Sequence, residues 1–199
     1  MELAAAATQP TSLTSRRHDF VTREIENAAM RVMAIKGFNE ATVADIADEA
    51  GISRRTFFRY FSSKDQLIRA HLIRLNTRVL RALERRPSDE TPFDALCQAF
   101  IETAESPPEE REAIRIRNQA LLGSLPATVL VPELIDKSVD LIATRMGVDS
   151  SLDQRPGLLV STVWAAATNA SRSWATASTD EPLSTALQNA FGFLGRGLK

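Results

Sequence analysis

A single cysteine, Cys97, stands among 199 residues, so the chain can close no intramolecular disulfide and can build no cysteine-rich zinc site. Cys97 falls within an apolar helical pattern and reads as a small buried hydrophobe. There are two histidines, His18 and His71, and neither has a metal-ligand partner at short helical spacing. No HExxH, glycine-rich phosphate loop or nucleophile elbow is present, which argues against an enzyme and implies no cofactor and no metal. No apolar run approaches the ~20 residues that span a bilayer. The alanine run Ala4 to Ala7 is short and follows Glu2 rather than a basic segment, unlike a signal peptide. These absences point to a soluble protein of the reducing cytoplasm, without a membrane partner. A basic excess is also missing, since the formal net charge is -1.

What is present is ample core material, 44% apolar residues against 25% charged. The charge is unevenly spread. Between Arg54 and Arg74 stand Arg54, Arg55, Arg59, Lys64, Arg69 and Arg74 against the single acid Asp65. Farther on, Glu109, Glu110, Glu112, Asp149 and Asp153 tip the balance the other way. A basic segment inside a neutral chain marks a local anionic partner rather than a global one.

Helical periodicity dominates, with glycine and proline at the ends of the periodic segments, so the class is all-α with about nine helices. Residues 1–15 are rich in Ala, Thr and Ser and read as a disordered arm. The first helix runs from about Arg17 to Lys36 with Ile25, Ala28, Ala29, Val32 and Met33 on one face. Gly37 ends it in the left-handed conformation, and Phe38 folds back onto Met33. Thr42 and Asp45 form an acidic capping box for a second helix, and Ser53 caps a third that reaches Tyr60. Ser62 and Ser63 start a long fourth helix to Arg85. Beyond Pro87, prolines announce the later starts, at Pro92, Pro107 with Pro108, Pro132, Pro156 and Pro182. Residues 16–66 then form one domain and 67–199 a larger helical one.

The segment from Thr42 to Phe61 satisfies the demands of a helix-turn-helix. Ala47 is small where the two helices cross, Gly51 can take positive φ in the turn, and Ile52 and Phe57 pin the second helix onto the first. Arg54, Arg55 and Thr56 are left on the exposed first turn. That end enters the major groove when such a unit docks, and arginine can donate two hydrogen bonds to guanine O6 and N7. Two arginines there also oppose the helix dipole, a local cost that hints at function. Thr42 and Ser53 can cap their helices and present backbone N–H groups to phosphates at once. Tyr60 has a core reading beside its DNA reading. Arg16 and Arg17 could follow a minor groove as an arm does, or form a charged tail.

These residues carry a specific resemblance. Thr42, Ala50-Gly51, Ile52-Ser53, Phe57-Phe58-Arg59-Tyr60-Phe61 and Ser63-Lys64-Asp65-Gln66-Leu67 resemble the DNA-binding signature of the TetR family, and the helix from about Val21 to Lys36 resembles it less sharply. Phe58 departs from the tyrosine of many members, losing a hydroxyl and keeping the ring. The resemblance implies a sequence-specific regulator, in the sense of a repressor released from a near-palindromic double-stranded operator. Thr42, Tyr60 and Lys64 would hold phosphates, and Arg54, Arg55 and Thr56 would reach base edges.

It also implies that the C-terminal part binds an effector and pairs with a second copy through its last two helices, about 156–198. Independently, Leu158 to Trp174 is apolar or small around much of its circumference, as a helix buried on two sides must be. Phe93, Leu96, Phe100, Ile114, Asn118, Leu121, Leu122 and Trp164 recur on faces that would surround a cavity, and each also reads as core. Asn118 would orient a mostly apolar ligand. Arg115 and Arg117 beside it read as a solvated face or as an anion site. The run Ser53 to Phe61 is similar to that of several actinobacterial-type regulators, some of which sense acyl-CoA or other lipid-derived molecules. A small, largely apolar effector of that lipid-derived or acyl-CoA-like kind follows. Two other readings fit the same residues: an architectural DNA-binding protein without an effector, and a helical small-molecule-binding protein whose N-terminal unit mediates protein contacts.

Overall fold

The computed structural model describes residues 13–122 and 132–197, and all regular structure among them is helical. The order is α1 (Leu13–Lys36), α2 (Val43–Glu49), α3 (Arg54–Tyr60), α4 (Lys64–Arg85), α5 (Pro92–Ala104), a 3-10 turn (Pro108–Glu110), α6 (Arg111–Leu122), α7 (Pro132–Met146), α8 (Arg155–Thr176) and α9 (Leu183–Gly195). Helix α1 begins four residues before the expected Arg17, because no proline or glycine lies between Pro10 and Gly37 to stop it. Most of the expected arm, residues 1–12, lies outside the described residues. Arg16 and Arg17 therefore project from a helix rather than from a trailing arm.

Local chemistry sets the starts and stops. Thr42 Oγ1 accepts from the Asp45 N–H at 3.2 Å, while the Asp45 carboxylate accepts from the Thr42 N–H at 3.0 Å, closing the capping box. Gly51 sits at φ +65°, and the next N–H, that of Ile52, donates to Ala47 at 2.9 Å. Ser53 Oγ accepts from the Thr56 N–H and Ser63 Oγ from the Gln66 N–H, both at 3.1 Å. Each of the three side-chain caps, Thr42, Ser53 and Ser63, satisfies one orphan donor of a first turn and is worth ~1 kcal/mol.

Two cores form. The first gathers Ile25, Ala29 and Met33 of α1, Ile46 of α2, Phe57 of α3, Phe61, and Leu67 with Ile68 of α4. The second is built around α5, whose Ala95, Leu96, Ala99 and Phe100 are buried with Val79, Ala82 and Leu83 of α4, Val160, Val163 and Trp164 of α8, and Leu187 and Phe191 of α9. The fourth helix thus spans both cores. Helix α6 bridges them as well: Ala120 and Leu121 are buried in the first core, whereas Ile114 packs against the second. The short connection between α8 and α9 lets the two pack along one another.

Candidate nucleic-acid interface and ligand cavity

Burying Phe57 fully turns the opposite side of α3 outward. Arg54 and Arg55 are exposed and Thr56 half-buried, its hydroxyl 2.9 Å from Ser53 Oγ. Phe58, one turn beyond Arg54, is 54% exposed and edge-on to Phe57. The sequence pattern gave that ring no contact role, although a four-residue step from Arg54 already puts it on the same face. Thr42 is exposed beside this helix, and Tyr60 is half-buried. The Tyr60 ring stacks on His18 with centroids 4.8 Å apart, and the Arg59 guanidinium lies 5.3 Å from its centre. His18 of α1 thereby braces the end of α3. Asp45, hydrogen-bonded by Lys36 and by Thr42, has its carboxyl held down to about 2.

Three basic side chains turn inward. The Lys64 ammonium donates to the carbonyls of Phe38, Asn39 and Ala41 at 2.6, 3.0 and 3.0 Å, which uses all three of its protons on the chain after α1. The ammonium expected on a phosphate is thus already bonded within the fold. Arg115, expected on a solvated face or at an anion site, donates to the carbonyls of Trp174, Ala177 and Thr179 at the end of α8, with its guanidinium 4.6 Å from the Trp174 ring centre. Arg145 does the same at the end of α4, donating to Leu83, Arg86 and Pro87. Cations at orphan carbonyls complement the negative ends of helix dipoles.

A cavity of ≈ 290 Å³ lies between α4, α5, α6, α8 and α9. Of the expected lining residues, Phe100, Ile114, Asn118, Leu121 and Trp164 meet there. Leu96 does not, because it is fully buried in the second core, and Phe93 packs against Gly195 of α9 instead. The Leu122 side chain lies outside the described residues. Asn118 Nδ2 donates to the Ile114 carbonyl one turn back at 3.1 Å, so half of its amide is already engaged. Arg117 lines the cavity, along with Leu72, Leu75, Asn76, Arg78 and Val79 of α4 and Arg172 of α8. The α4 contribution has a sequence signal in the spacing of Leu72, Leu75, Asn76 and Val79, one helical face in which a polar residue interrupts three apolar ones.

Behind the cavity, His71 of α4 is buried with Glu26 of α1, Nδ1 3.2 Å from the carboxylate, and Arg74 completes the charge pairing of Glu26. Burial and the nearby charge of Arg117 push the His71 imidazole down to about 4. It is neutral at pH 7, with Nδ1 donating to Glu26 and Nε2 buried without a partner among the described residues. Burial, with Asp94 nearby, pushes the Cys97 thiol up to about 12, which fits a buried hydrophobe. Among the described residues, no helix is long and apolar enough to cross a membrane, and no group of three or more His, Cys, Asp or Glu side chains could hold a metal ion.

Comparison with known proteins places this geometry. Residues 25–71 match the family model for bacterial regulatory proteins of the tetR family, and residues 90–199 match that of the MftR C-terminal domain. The HTH-type transcriptional regulator TcmR of Streptomyces glaucescens is 30% identical over 194 residues, covering 90% of this chain and 83% of TcmR. Among solved structures, the fatty acid degradation regulator FadR from Bacillus halodurans superposes with a TM-score of 0.61 at 16% identity, over 90% of this chain and 96% of that one. A TetR-like transcriptional regulator from Rhodococcus sp. RHA1 gives a TM-score of 0.55 at 23% identity, over 89% and 95%. At these identities the two structures speak for the fold. The capped helix-turn-helix with its exposed arginines, the helical domain behind it and a relative matched over most of both lengths agree, and the chain belongs to the TetR family of DNA-binding transcriptional regulators.

Proposed function

We propose that the protein is a homodimeric repressor, acting in the cytoplasm, that leaves its operator when a small molecule fills the cavity. Arg54 and Arg55 reach base edges of a major groove, Thr56 adds a hydroxyl, and Phe58 supplies an apolar contact of the kind thymine methyl groups accept. Thr42, Ser53 and Tyr60 flank them and hold phosphates, which fix register without carrying sequence information. Arg16 and Arg17, exposed on the first turns of α1, add positive charge alongside.

The observation that carries the ligand half is the double membership of Leu121. This side chain lines the cavity and is buried in the core of the reading head. A ligand that touches Leu121 from the cavity side has different contacts in any two arrangements of the head, which is the requirement for shifting their populations. Dimerisation is supported by the outward faces of the last two helices, where Leu158 is 58% and Phe193 47% exposed on elements otherwise packed into the second core. A second copy covering both faces explains them without an apolar patch left in water.

The test is selection of bound duplexes from a random pool, followed by release with candidate ligands. The selected sites should carry two related half-sites about one helical turn apart, as two-fold related recognition helices require. Selection of single half-sites would remove the dimer. An unselective pool would remove the repressor in favour of an architectural protein.

A further inference from the structure

The charged groups lining the cavity are unbalanced toward cations. Arg117, half-buried in the α6 wall, is held by no hydrogen bond or ion pair among the described residues. Its neighbour Arg115 donates three bonds to carbonyls, so the contrast is local to one helix. Arg78 and Arg172 bring two more guanidinium groups to the cavity. Burial, and after it the like charge of Arg78, disfavours the charged form of Arg117, and Glu110 offsets this only in part. Glu105 and Glu110 are exposed carboxylates at the rim, so cations outnumber anions around the opening.

We infer that the cavity takes an amphipathic anion, whose apolar body lies against Phe100, Ile114 and Trp164 and whose acidic oxygens pair with Arg117. The inference rests on the reading of this cavity as the effector site and adds that the effector must carry negative charge. Such a head relieves the mutual repulsion of the arginines and replaces the water that Arg117 lost on burial. The cavity volume stands at the lower end for ligand sites, which selects short chains for a first probe.

The experiment titrates the full-length protein with decanoate, decyl phosphate, 1-decanol and decylamine, reading Trp fluorescence and calorimetry, with duplex release measured in parallel. Decanoate or decyl phosphate should bind about tenfold or more tighter than 1-decanol, and the better of the two identifies a carboxylate or a phosphate head. Arg117→Met should remove that advantage while leaving 1-decanol binding unchanged. A melting temperature at or above that of the parent shows that the variant is folded. Equal affinity for the anions and the alcohol, tighter binding of decylamine, an unchanged anion advantage in Arg117→Met, or no binding of any probe would each overturn the inference. Anion binding that leaves the duplex bound keeps the anion site and overturns ligand-driven release, so the two failures are distinguishable.

Discussion

The ammonium of Lys64 lies 2.6 Å from the carbonyl oxygen of Phe38 and 4.5 Å from the centre of the same residue's ring. One cation thereby holds the turn after α1 against the start of α4, across 26 residues of sequence. Lys64→Met should lower the stability of DNA-free protein by about 2 kcal/mol, since hydrogen bonds from charged groups contribute ~1.5–3 kcal/mol. Urea unfolding would show a lower midpoint with an unchanged slope. Parent-like stability together with a uniform loss of affinity for every duplex would return Lys64 to the phosphate backbone.

Arg55→Ala should relax base preference at one position of each half-site and cost ~1–3 kcal/mol on the selected operator. Arg59→Ala, which changes a residue at the C-terminal end of the same helix, should instead weaken selected and random duplexes alike and flatten the salt dependence. Fluorescence titrations of both duplexes at two salt concentrations separate these outcomes. Equal losses for Arg55→Ala on the two duplexes would remove its base contact.

The buried His71 predicts a pH dependence with a definite sign. Its native value of about 4 lies below the ordinary 6.5, so between those pH values the unfolded chain binds a proton that the native chain refuses. Stability is therefore full above pH 6.5, falls as the pH drops toward 4, and loses about 3 kcal/mol from this group by the end of that window. The groups around it are Glu26, already paired with Arg74, and the like-charged Arg117. Carboxylates such as Asp45 add their own slope at lower pH, so the quantity to measure is the difference between parent and His71→Gln in urea unfolding from pH 7 to 4.5. That difference should shrink as the pH falls. In Arg117→Met the His71 midpoint should climb toward 6.5. A parent and His71→Gln that lose stability in parallel would show that His71 takes up its proton as readily in the native state as in the unfolded chain.

The reading head was legible because its chemistry is local. Thr42 with Asp45, Gly51 before Ile52, and Ser53 before Arg54 each act within one turn of chain, and spacing alone sets their geometry. The cavity was legible only in part because it depends on how helices approach one another. Leu96 and Phe100 share a face of α5 one turn apart, but only Phe100 reaches the space between helices. Arg115 and Arg117 stand two residues apart, so they leave α6 in opposed directions, one onto the end of α8 and one into the cavity. The pattern of α4 says that Leu72, Leu75 and Val79 are turned away from water. It does not say that part of what they face is empty space.

Two glycines give a matched test of how backbone geometry rather than packing sets tolerance in this fold. A Cβ added to Gly51 or to Gly157 would meet no atom within 4 Å. Sterics with neighbours therefore cannot distinguish them. Gly51 lies at φ +65° in the turn of the helix-turn-helix, where an L side chain crowds its own carbonyl at a cost of about 1–2 kcal/mol. Gly157 lies in the first turn of α8 with ordinary helical φ, where alanine reduces the freedom of the unfolded chain. Gly51→Ala should therefore destabilise by about 1 kcal/mol or more, and Gly157→Ala should stabilise by about 0.4–1 kcal/mol. Because Gly51 sets the angle between α2 and α3, its variant should also lose operator affinity at concentrations where the protein remains folded, while Gly157→Ala should bind as the parent does. Urea unfolding and duplex titration of the two variants decide the matter. Equal stabilities would mean that the turn relaxes to a negative φ without disturbing Ile52 or the first turn of α3.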